Sequence, residues 1–366
     1  MLFRSSFGKI NRYMRILLIG SFDLYLHPYS KKYIDFFKGK KIDIKFVFWN
    51  RSLKKIEEND IYVPFNYQMN SYQSLIKKIN GYLKYRTFVK EYLKKNYFDK
   101  LVIFTTQTMF LFSWYVLKKY KDKYIFDYRD ETYEKYSFYR KRVEKCILYS
   151  KYTVISSPGF ISNFKMQYDN KFVMCHNSKS NLQILPQKND SDIIRISFWG
   201  MIRQPKYYKK IFLFFKNDNR FIINLYGKGY EKEMLKIIDE LDCHNVYMHG
   251  EYDQHQIIDF VRNTDILLNC YSNNSIQKNA ITVKMYEGIK YKIPMLIQKG
   301  SFMDAYLTNN NYPHISIDFD NDNIELTTDD VIEQFKSINI KSNHALDERI
   351  QLDEFVFYNK LKDFLK

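Results

Sequence analysis

Residues 194–229 read IRISFWGMIRQPKYYKKIFLFFKNDNRFIINLYGKG. A short β-branched and aromatic run, Ile194–Trp199, ends at a glycine. A basic amphipathic stretch, Tyr207–Lys216, leads to a second such run, Phe221–Tyr226, and to a glycine pair. Short apolar runs bounded by turn residues, with helical stretches between them, are the pattern of a parallel sheet covered by helices on both faces.

The pattern extends in both directions. Downstream it predicts helix Glu231–Leu241, strand Val246–His249, helix Gln254–Val261, strand Asp265–Asn269, helix Val283–Tyr291 and strand Pro294–Gln298. A short strand at His314–Ile317 and helices at Asp329–Lys336 and Asp347–Leu365 complete the series. Upstream lies a polar segment, Asn177–Asp192, containing Pro186, which reads as a linker. Before it, strands are expected at Arg15–Ile19, Ile42–Phe48, Leu101–Phe104, Tyr124–Asp127, Tyr152–Ile155 and Lys171–Met174. The helices between them are Pro28–Lys38, Ser71–Lys95, Met109–Tyr120, Glu131–Leu148 and Gly159–Gln167. The expectation is an α/β chain with two Rossmann-like doubly wound domains facing across a cleft. They comprise residues 14–176 and 194–345, joined by linker 177–193, with a C-terminal helix, 346–366, crossing back to the N-terminal domain. In such sheets ligands bind beyond the carboxyl ends of the strands, so function belongs in the loops that follow strands.

Composition narrows the function classes. The chain has 366 residues, 45% hydrophobic and 27% charged, with only 11 Gly and 7 Pro, which excludes fibrous, linker-rich and disordered readings. Charge is divided unevenly: residues 1–183 carry 35 Lys/Arg and 15 Asp/Glu, a net +20, whereas residues 184–366 carry 23 and 26, a net −3. A compositional bias would affect both halves alike, so the first half is built to meet something anionic: a phospholipid surface, a nucleic acid or a polyphosphate ligand. Cys146, Cys175, Cys243 and Cys270 are far apart and read as buried thiols in a reducing compartment. The opening MLFRSSFGKINRY lacks the apolar core of a secretory signal, and MRILLIG from Met14 begins the first strand, which makes Met14 a candidate start. Leu101–Leu117 is uncharged but is interrupted by Thr105, Thr106, Gln107, Thr108 and Ser113. It reads as strand, turn and buried helix rather than a membrane span.

Four loops carry candidate chemistry. Gly200 follows a strand and lets a ligand approach the backbone, and Arg203, with Lys206, Lys209 and Lys210 at the next helix start, suits a diphosphate or is simply a solvated basic helix start. Gly227 and Gly229 free backbone N–H groups for a phosphate or nucleoside, or simply make a tight strand-to-helix turn. In Lys284-Met285-Tyr286-Glu287-Gly288, a glutamate early in a helix can accept both hydroxyls of a ribose, or complement the helix dipole. In Asp127-Tyr128-Arg129-Asp130, Asp130 is placed to bind a sugar hydroxyl, act as a base or cap the next helix, and Arg129 to hold a phosphate. The seven histidines show no H-x-x-x-H or H-E-x-x-H spacing and there is no G-x-S-x-G, so neither a metal centre nor a hydrolase elbow is expected. Asp318-Phe319-Asp320 is D-x-D-like but lies in the late acidic segment. The basic, aromatic stretch Ser71–Lys100 fits a membrane surface, a solvated helix or single-stranded nucleic acid, although no nucleic-acid-binding signature accompanies it.

Taken together, FWGMIRQPKYYKK (198–210), NLYGKGYEKEM (224–234), NVYMHGEYDQHQIIDFVRNTDILLNCYS (245–272) and VKMYEGIKYKIPMLI (283–297) resemble the GT-B-fold glycosyltransferases of family 4. The likeness is greatest to those that build bacterial capsular or O-antigen polysaccharide, part of the same class of chemistry as lipopolysaccharide biosynthesis. IFDYRDE (125–131), VISSPGFISNF (154–164) and VMCHNS (173–178) are similar to the family's N-terminal half. The resemblance implies a C-terminal domain for a nucleoside-diphosphate-sugar donor and an N-terminal domain for the acceptor, with no cofactor and no metal. Arg203, with Lys206 or Lys209, resembles the basic group on the donor diphosphate, and Glu287 the second acid of an E-x7-E motif, on the ribose. Gly200, Gly227, Gly229 and Lys284 fall in the donor loops, Glu251 and Tyr252 where the base is held, and Asp23, Arg129 and Asp130 at the acceptor or sugar position.

The expected activity is metal-independent glycosyl transfer with retained configuration onto a lipid-linked glycan. Arg203, Lys209 and Asp130 are its catalytic groups, and the enzyme would be cytoplasmic and peripheral at the inner face of the plasma membrane. The chain departs from the family in two places: Asn279 stands where the first acid belongs, and Gly20-Ser21-Phe22-Asp23 replaces a glycine pair. Those departures motivate a second reading, a catalytically silent scaffold in a polysaccharide-assembly complex. The basic half motivates a third, nucleic-acid binding.

Overall fold

A computed structural model describes residues 13–70, 72–164, 170–177, 192–275, 277–340 and 345–366. Most of the expected linker, and the opening segment before Tyr13, lie outside the described residues. The chain divides into two compact units. One takes the chain through Ile155, with Ile161–Cys175 and Phe355–Lys366; the other takes Ser156–Phe160 and His176–Glu354.

The first unit is built on seven parallel strands: β1 Arg15–Gly20, β2 Asp43–Asn50, β3 Tyr62–Asn66, β4 Lys100–Phe104, β5 Tyr124–Tyr128, β6 Tyr152–Ile155 and β7 Phe172–Met174. Their order is β3-β2-β1-β4-β5-β6-β7, so the winding reverses between β1 and β4. Helices α1 Ser30–Lys38, α2 Leu75–Lys95, α3 Thr106–Lys119 and α4 Ser137–Leu148 connect them. The Ser74 and Thr105 hydroxyls accept from Lys77 and Thr108 amides and so start α2 and α3.

The second unit has strands β8 Ile194–Trp199, β9 Phe221–Tyr226, β10 Val246–Gly250, β11 Ile266–Asn269, β12 Met295–Gln298 and β13 Ile315–Ile317. Their order is β10-β9-β8-β11-β12-β13, all parallel, and the winding reverses between β8 and β11. Its helices are α5 Pro205–Phe215, α6 Glu231–Glu240, α7 Ile257–Arg262, α8 Val283–Tyr291, α9 Phe302–Asn309 and α10 Thr328–Ser337. The last helix, α11 Ala345–Phe364, begins in this unit and ends in the first, where Phe357, Leu361 and Phe364 are buried in the core with Tyr33, Phe37 and Phe104. This is the crossing back that the sequence led us to expect. His176, the first residue of the long second-unit segment, is buried between the Tyr286 hydroxyl (2.7 Å) and the Asp353 carboxylate (3.0 Å).

Four elements differ from the sequence reading. Strand β3 was not expected: Pro64 sits inside it, which is tolerated because β3 is an edge strand. Helix α9 was also not anticipated. Of the expected helix Gly159–Gln167, the start is a 3-10 turn, Pro158–Asn163, and residues 165–167 lie outside the described residues. The helix expected from Glu131 starts at Ser137, after an irregular segment. Leu101–Leu117 divides into β4 and α3, and no helix among the described residues is long and apolar enough to cross a membrane.

Candidate active site

In the second unit the loops after β8 and β9 run side by side. The Gly200 amide donates to the Tyr226 carbonyl and the Ile202 amide to that of Lys228, both at 2.9 Å, so pairing continues past the strand ends. Gly227 (φ 134°) and Gly229 (φ 112°) are required by this contact. A Cβ on Gly227 would lie 1.8 Å from the Gly200 carbonyl oxygen, and one on Gly229 2.4 Å from that of Ile202. Their first task is therefore to let two backbones touch.

Gly200 is different. Its φ of 144° favours glycine, yet the nearest atoms to a Cβ there are Phe198 Cζ at 3.6 Å and Lys284 Nζ at 3.8 Å. The Lys284 ammonium thus stands beside an open stretch of backbone at the point where the winding reverses. Thr282 caps α8 by accepting the Met285 amide, and this aims Lys284 and Glu287, one turn apart, at the end of β8. Lys284 is almost wholly buried and donates to Glu287 Oε2 at 2.6 Å, and Trp199 Nε1 donates to the same oxygen at 3.0 Å. Glu287 Oε1 accepts nothing among the described residues. With Thr282 as cap and Glu287 in the second turn, the helix-dipole role falls away.

Arg203 and Lys206 are exposed around the start of α5, where Gln204 adopts a left-handed φ of 58° ahead of Pro205, and Lys209 is half-buried one turn on. None of the three makes an ion pair among the described residues. Lys210, by contrast, is turned to Asp322 (2.8 Å) and the Asp320 carbonyl (3.1 Å), away from any diphosphate role. Gln204 ties this loop to the one after β11 through the Ser272 amide, at 3.2 Å. In that loop, burial pushes the Tyr271 phenol up to about 12; the Arg203 cation opposes the shift and the Glu287 carboxylate adds to it. Tyr271 therefore lies in the fields of both groups.

At the C-terminal ends of β9 and β10 the rings of His249, Tyr226 and Phe260 form a stack, with centroids 4.4 and 3.9 Å apart, and Tyr252 meets Phe260 edge-on at 5.1 Å. Burial, and next the Glu287 charge, raise the Tyr252 phenol. Glu251 is exposed and pairs with Lys228 at 3.1 Å. Sequence reasoning missed Trp199, Tyr226 and Tyr271. Trp199 and Tyr226 are the residues immediately before the two loop glycines, and that placement is the signal that would have found them. Asp318 and Asp320 hold loops: Asp318 accepts from Gln298, and Asp320 from the Ser272 hydroxyl and the Asn273 amide. Among the described residues no group of three or more His, Cys, Asp or Glu is placed to hold a metal.

The acceptor-side candidates lie in the first unit, after strands β1 and β5. Asp23 is buried and accepts from both the amide (3.0 Å) and hydroxyl (2.8 Å) of Ser52, at the edge of a cavity of about 450 Å³ that Asn50, Lys54 and Tyr62 also line. Arg129 requires a correction. It is 2% exposed, and its three nitrogens are engaged by both oxygens of Asp127 and by the Cys175 carbonyl, with Tyr29 stacked at 4.5 Å. Tyr33 adds a hydroxyl to the same carboxylate. This is a sealed ion pair under the strand ends, with no free edge for a phosphate. Asp130, the next residue, is exposed and does not cap α4, whose first turn is at Ser137.

No family model matches the chain, and no curated protein matches it. Solved structures do. The lipopolysaccharide outer core galactosyltransferase WaaB is 12% identical, with a TM-score of 0.62 over 96% of this chain and 99% of its own. Sucrose-phosphate synthase from Thermosynechococcus elongatus is 10% identical, with a TM-score of 0.69 and the same coverage. HepE from Anabaena, solved with UDP and glucose, is 12% identical with a TM-score of 0.59. At these identities the likeness establishes the fold: two parallel sheets of seven and six strands in the GT-B arrangement.

Proposed function

We propose that this chain is a glycosyltransferase that moves a sugar from a nucleoside-diphosphate donor to a lipid-linked glycan in surface polysaccharide biosynthesis. The observation that carries the reading is Glu287. Its carboxylate is held on one oxygen by Lys284 and Trp199, with the other oxygen free, beside open backbone at Gly200. In the donor complex that free oxygen takes the ribose hydroxyls, and the Tyr226 stack and Tyr252 take the base. Arg203, with Lys206 or Lys209, meets the diphosphate and stabilises the charge that develops as it leaves, so the reaction proceeds without a metal. Asp130 contacts the acceptor or the transferred sugar, and Asp23 the acceptor. Transfer with retained configuration belongs to this reading, with Asn279 in place of an acid as the position that tunes the sugar.

The same reading places the protein at the inner face of the membrane. Leu75 (71% exposed), Ile76 (81%), Ile79 and Leu83 lie bare on α2, interleaved with Lys77, Lys78 and Lys84. Apolar side chains ringed by lysines suit an anionic leaflet. An Ile76→Asp/Ile79→Asp variant should lose binding to phosphatidylglycerol vesicles while keeping its Tm.

The deciding experiment is a thermal-shift panel of UDP- and GDP-sugars and free nucleotides. A ligand at a hundred times its Kd stabilises the native state by about 2.7 kcal/mol. Selective stabilisation by one nucleotide sugar supports the proposal. Indifference to the whole panel overturns it in favour of a silent scaffold.

A further inference from the structure

We infer that the first unit carries a binding site for a phosphorylated apolar chain, with an isoprenoid or alkyl tail in an aromatic cavity and its phosphate on Arg51. The inference rests on the lipid-linked acceptor proposed above and specifies how that acceptor is held.

The cavity, of about 380 Å³, opens between α2, α3 and the start of α4. Tyr82, Phe110, Leu111, Tyr136, Phe138 and Tyr139 line it. Phe110 stacks on Tyr139 with centroids 4.6 Å apart, and Phe138, 69% exposed, approaches Phe110 edge-on at 6.3 Å. An aromatic wall suits either a sugar or a hydrocarbon, and the lining surface, which is almost wholly apolar, favours the hydrocarbon. The Tyr82 hydroxyl already meets Gln107 at 3.4 Å and Arg51 at 3.2 Å, and the Tyr139 hydroxyl meets Thr132 at 3.0 Å. A sugar needs convergent polar groups that are free to bond it, whereas a hydrocarbon needs none. The mouth continues onto apolar surface: Ile79 and Leu75, one and two turns before Tyr82 on α2, are both bare.

Arg51 lies behind the cavity wall, donating to the hydroxyl of its lining residue Tyr82, and supplies the polar end of the proposed site. Its guanidinium lies between Phe22 and Trp49, 4.4 Å from each ring centroid, with Tyr82 at 5.3 Å. Its Nε is buried and has no hydrogen-bond partner, and among the described residues no carboxylate comes within ion-pair distance of it. A cation partly withdrawn from water and left without an anion is poised to take one. Arg51 also follows β2 directly, next to Ser52, which Asp23 holds. A lipid phosphate on Arg51 would therefore present the sugar it carries to the neighbourhood of Asp23.

The test is photolabelling of the full chain with a dodecyl phosphate bearing a terminal diazirine, below its micellar concentration and without donor, mapped by peptide mass spectrometry. Label is expected on residues 107–111 and 133–139. Farnesyl phosphate should displace it; inorganic phosphate and maltotriose should not. Tyr136→Ser/Phe138→Ser, both exposed positions, should cut labelling about tenfold with Tm unchanged. Arg51→Gln should weaken farnesyl phosphate about tenfold relative to Arg51→Lys and leave farnesol unaffected. Label elsewhere in the chain, displacement by maltotriose, or equal loss of farnesol and farnesyl phosphate would each overturn the site. Because no donor is present, a failed nucleotide-sugar panel refutes the transferase reading without touching this result.

Discussion

Trp199, the last residue of β8, donates its indole N–H to Glu287, 88 positions later in the second turn of α8, at 3.0 Å. A strand end and a helix from the other side of the winding reversal are thereby fixed to each other through one carboxylate oxygen. Trp199→Phe removes the hydrogen bond and keeps most of the ring. A bond to a charged group is worth about 1.5–3 kcal/mol, so donor KM should rise about tenfold or more with little change in kcat. Equal donor KM in the variant would show that the indole does not orient the carboxylate.

Lys284 and Glu287 form a pair that is largely out of water. Lys284→Met strands the carboxylate and should cost about 3 kcal/mol in urea unfolding. Lys284→Met/Glu287→Leu should recover most of that stability and still fail to bind donor. A single variant as stable as the wild type would mean the carboxylate is hydrated where it stands.

Arg203 is exposed and makes no ion pair among the described residues. Arg203→Ala should therefore leave Tm unchanged while lowering kcat by about 10²–10³, the usual effect of removing one group that stabilises developing negative charge. Near-normal turnover in a steady-state assay would remove this residue from the mechanism.

The loop glycines separate two kinds of constraint. Gly227→Ala drives a methyl into the Gly200 carbonyl and adds an unfavourable φ, so it should abolish a cooperative melt or lower Tm steeply. Gly200→Ala meets only the φ penalty, of order 1–3 kcal/mol. It should fold, and its defect should appear in donor affinity. Similar melting temperatures for the two variants would contradict this assignment of the loops.

His27 gives a pH signature. Burial, and next the Arg51 cation, lower its pKa from 6.5 to about 3, so the ring stays neutral in the fold. The unfolded chain takes up this proton first, so the contribution to stability is complete above pH 6.5 and is lost progressively as pH falls towards 3. Chemical denaturation between pH 7 and 4 should show an uptake approaching one proton on unfolding that His27→Gln lacks. An unchanged slope in the variant would mean that the ring is charged in the native state.

Much of this was legible in the sequence because strand ends and glycines punctuate it. Ile194–Trp199, Phe221–Tyr226, Tyr152–Ile155 and Val283–Tyr291 have the bounds their residues imply. Edge strand β3 was hidden because Pro64 argues against a ladder that needs only one of its faces. Gly200, Lys284 and Glu287 are grouped through the family resemblance, and the structure brings Lys284 beside Gly200 and onto Glu287. The sealing of Arg129 could not be read, because it depends on Cys175 and Tyr29, which are distant in the chain and reach it only once β5 and β7 lie in one sheet. The aromatic cavity escaped for the same reason: its wall is assembled from three helices that each read as ordinary amphipathic stretches.

The last helix has a practical consequence. Phe357, Leu361 and Phe364 fill the interior of the unit that the chain began building before residue 40, and Tyr152 and Lys100 bond to Asp363 and to the Phe364 carbonyl. A fragment cut after residue 177 would lack part of its own interior. Swapping the second unit for that of a relative would therefore succeed only if Phe355–Lys366 stays with the host, which makes this tail, and not the linker, the true seam for chimeras.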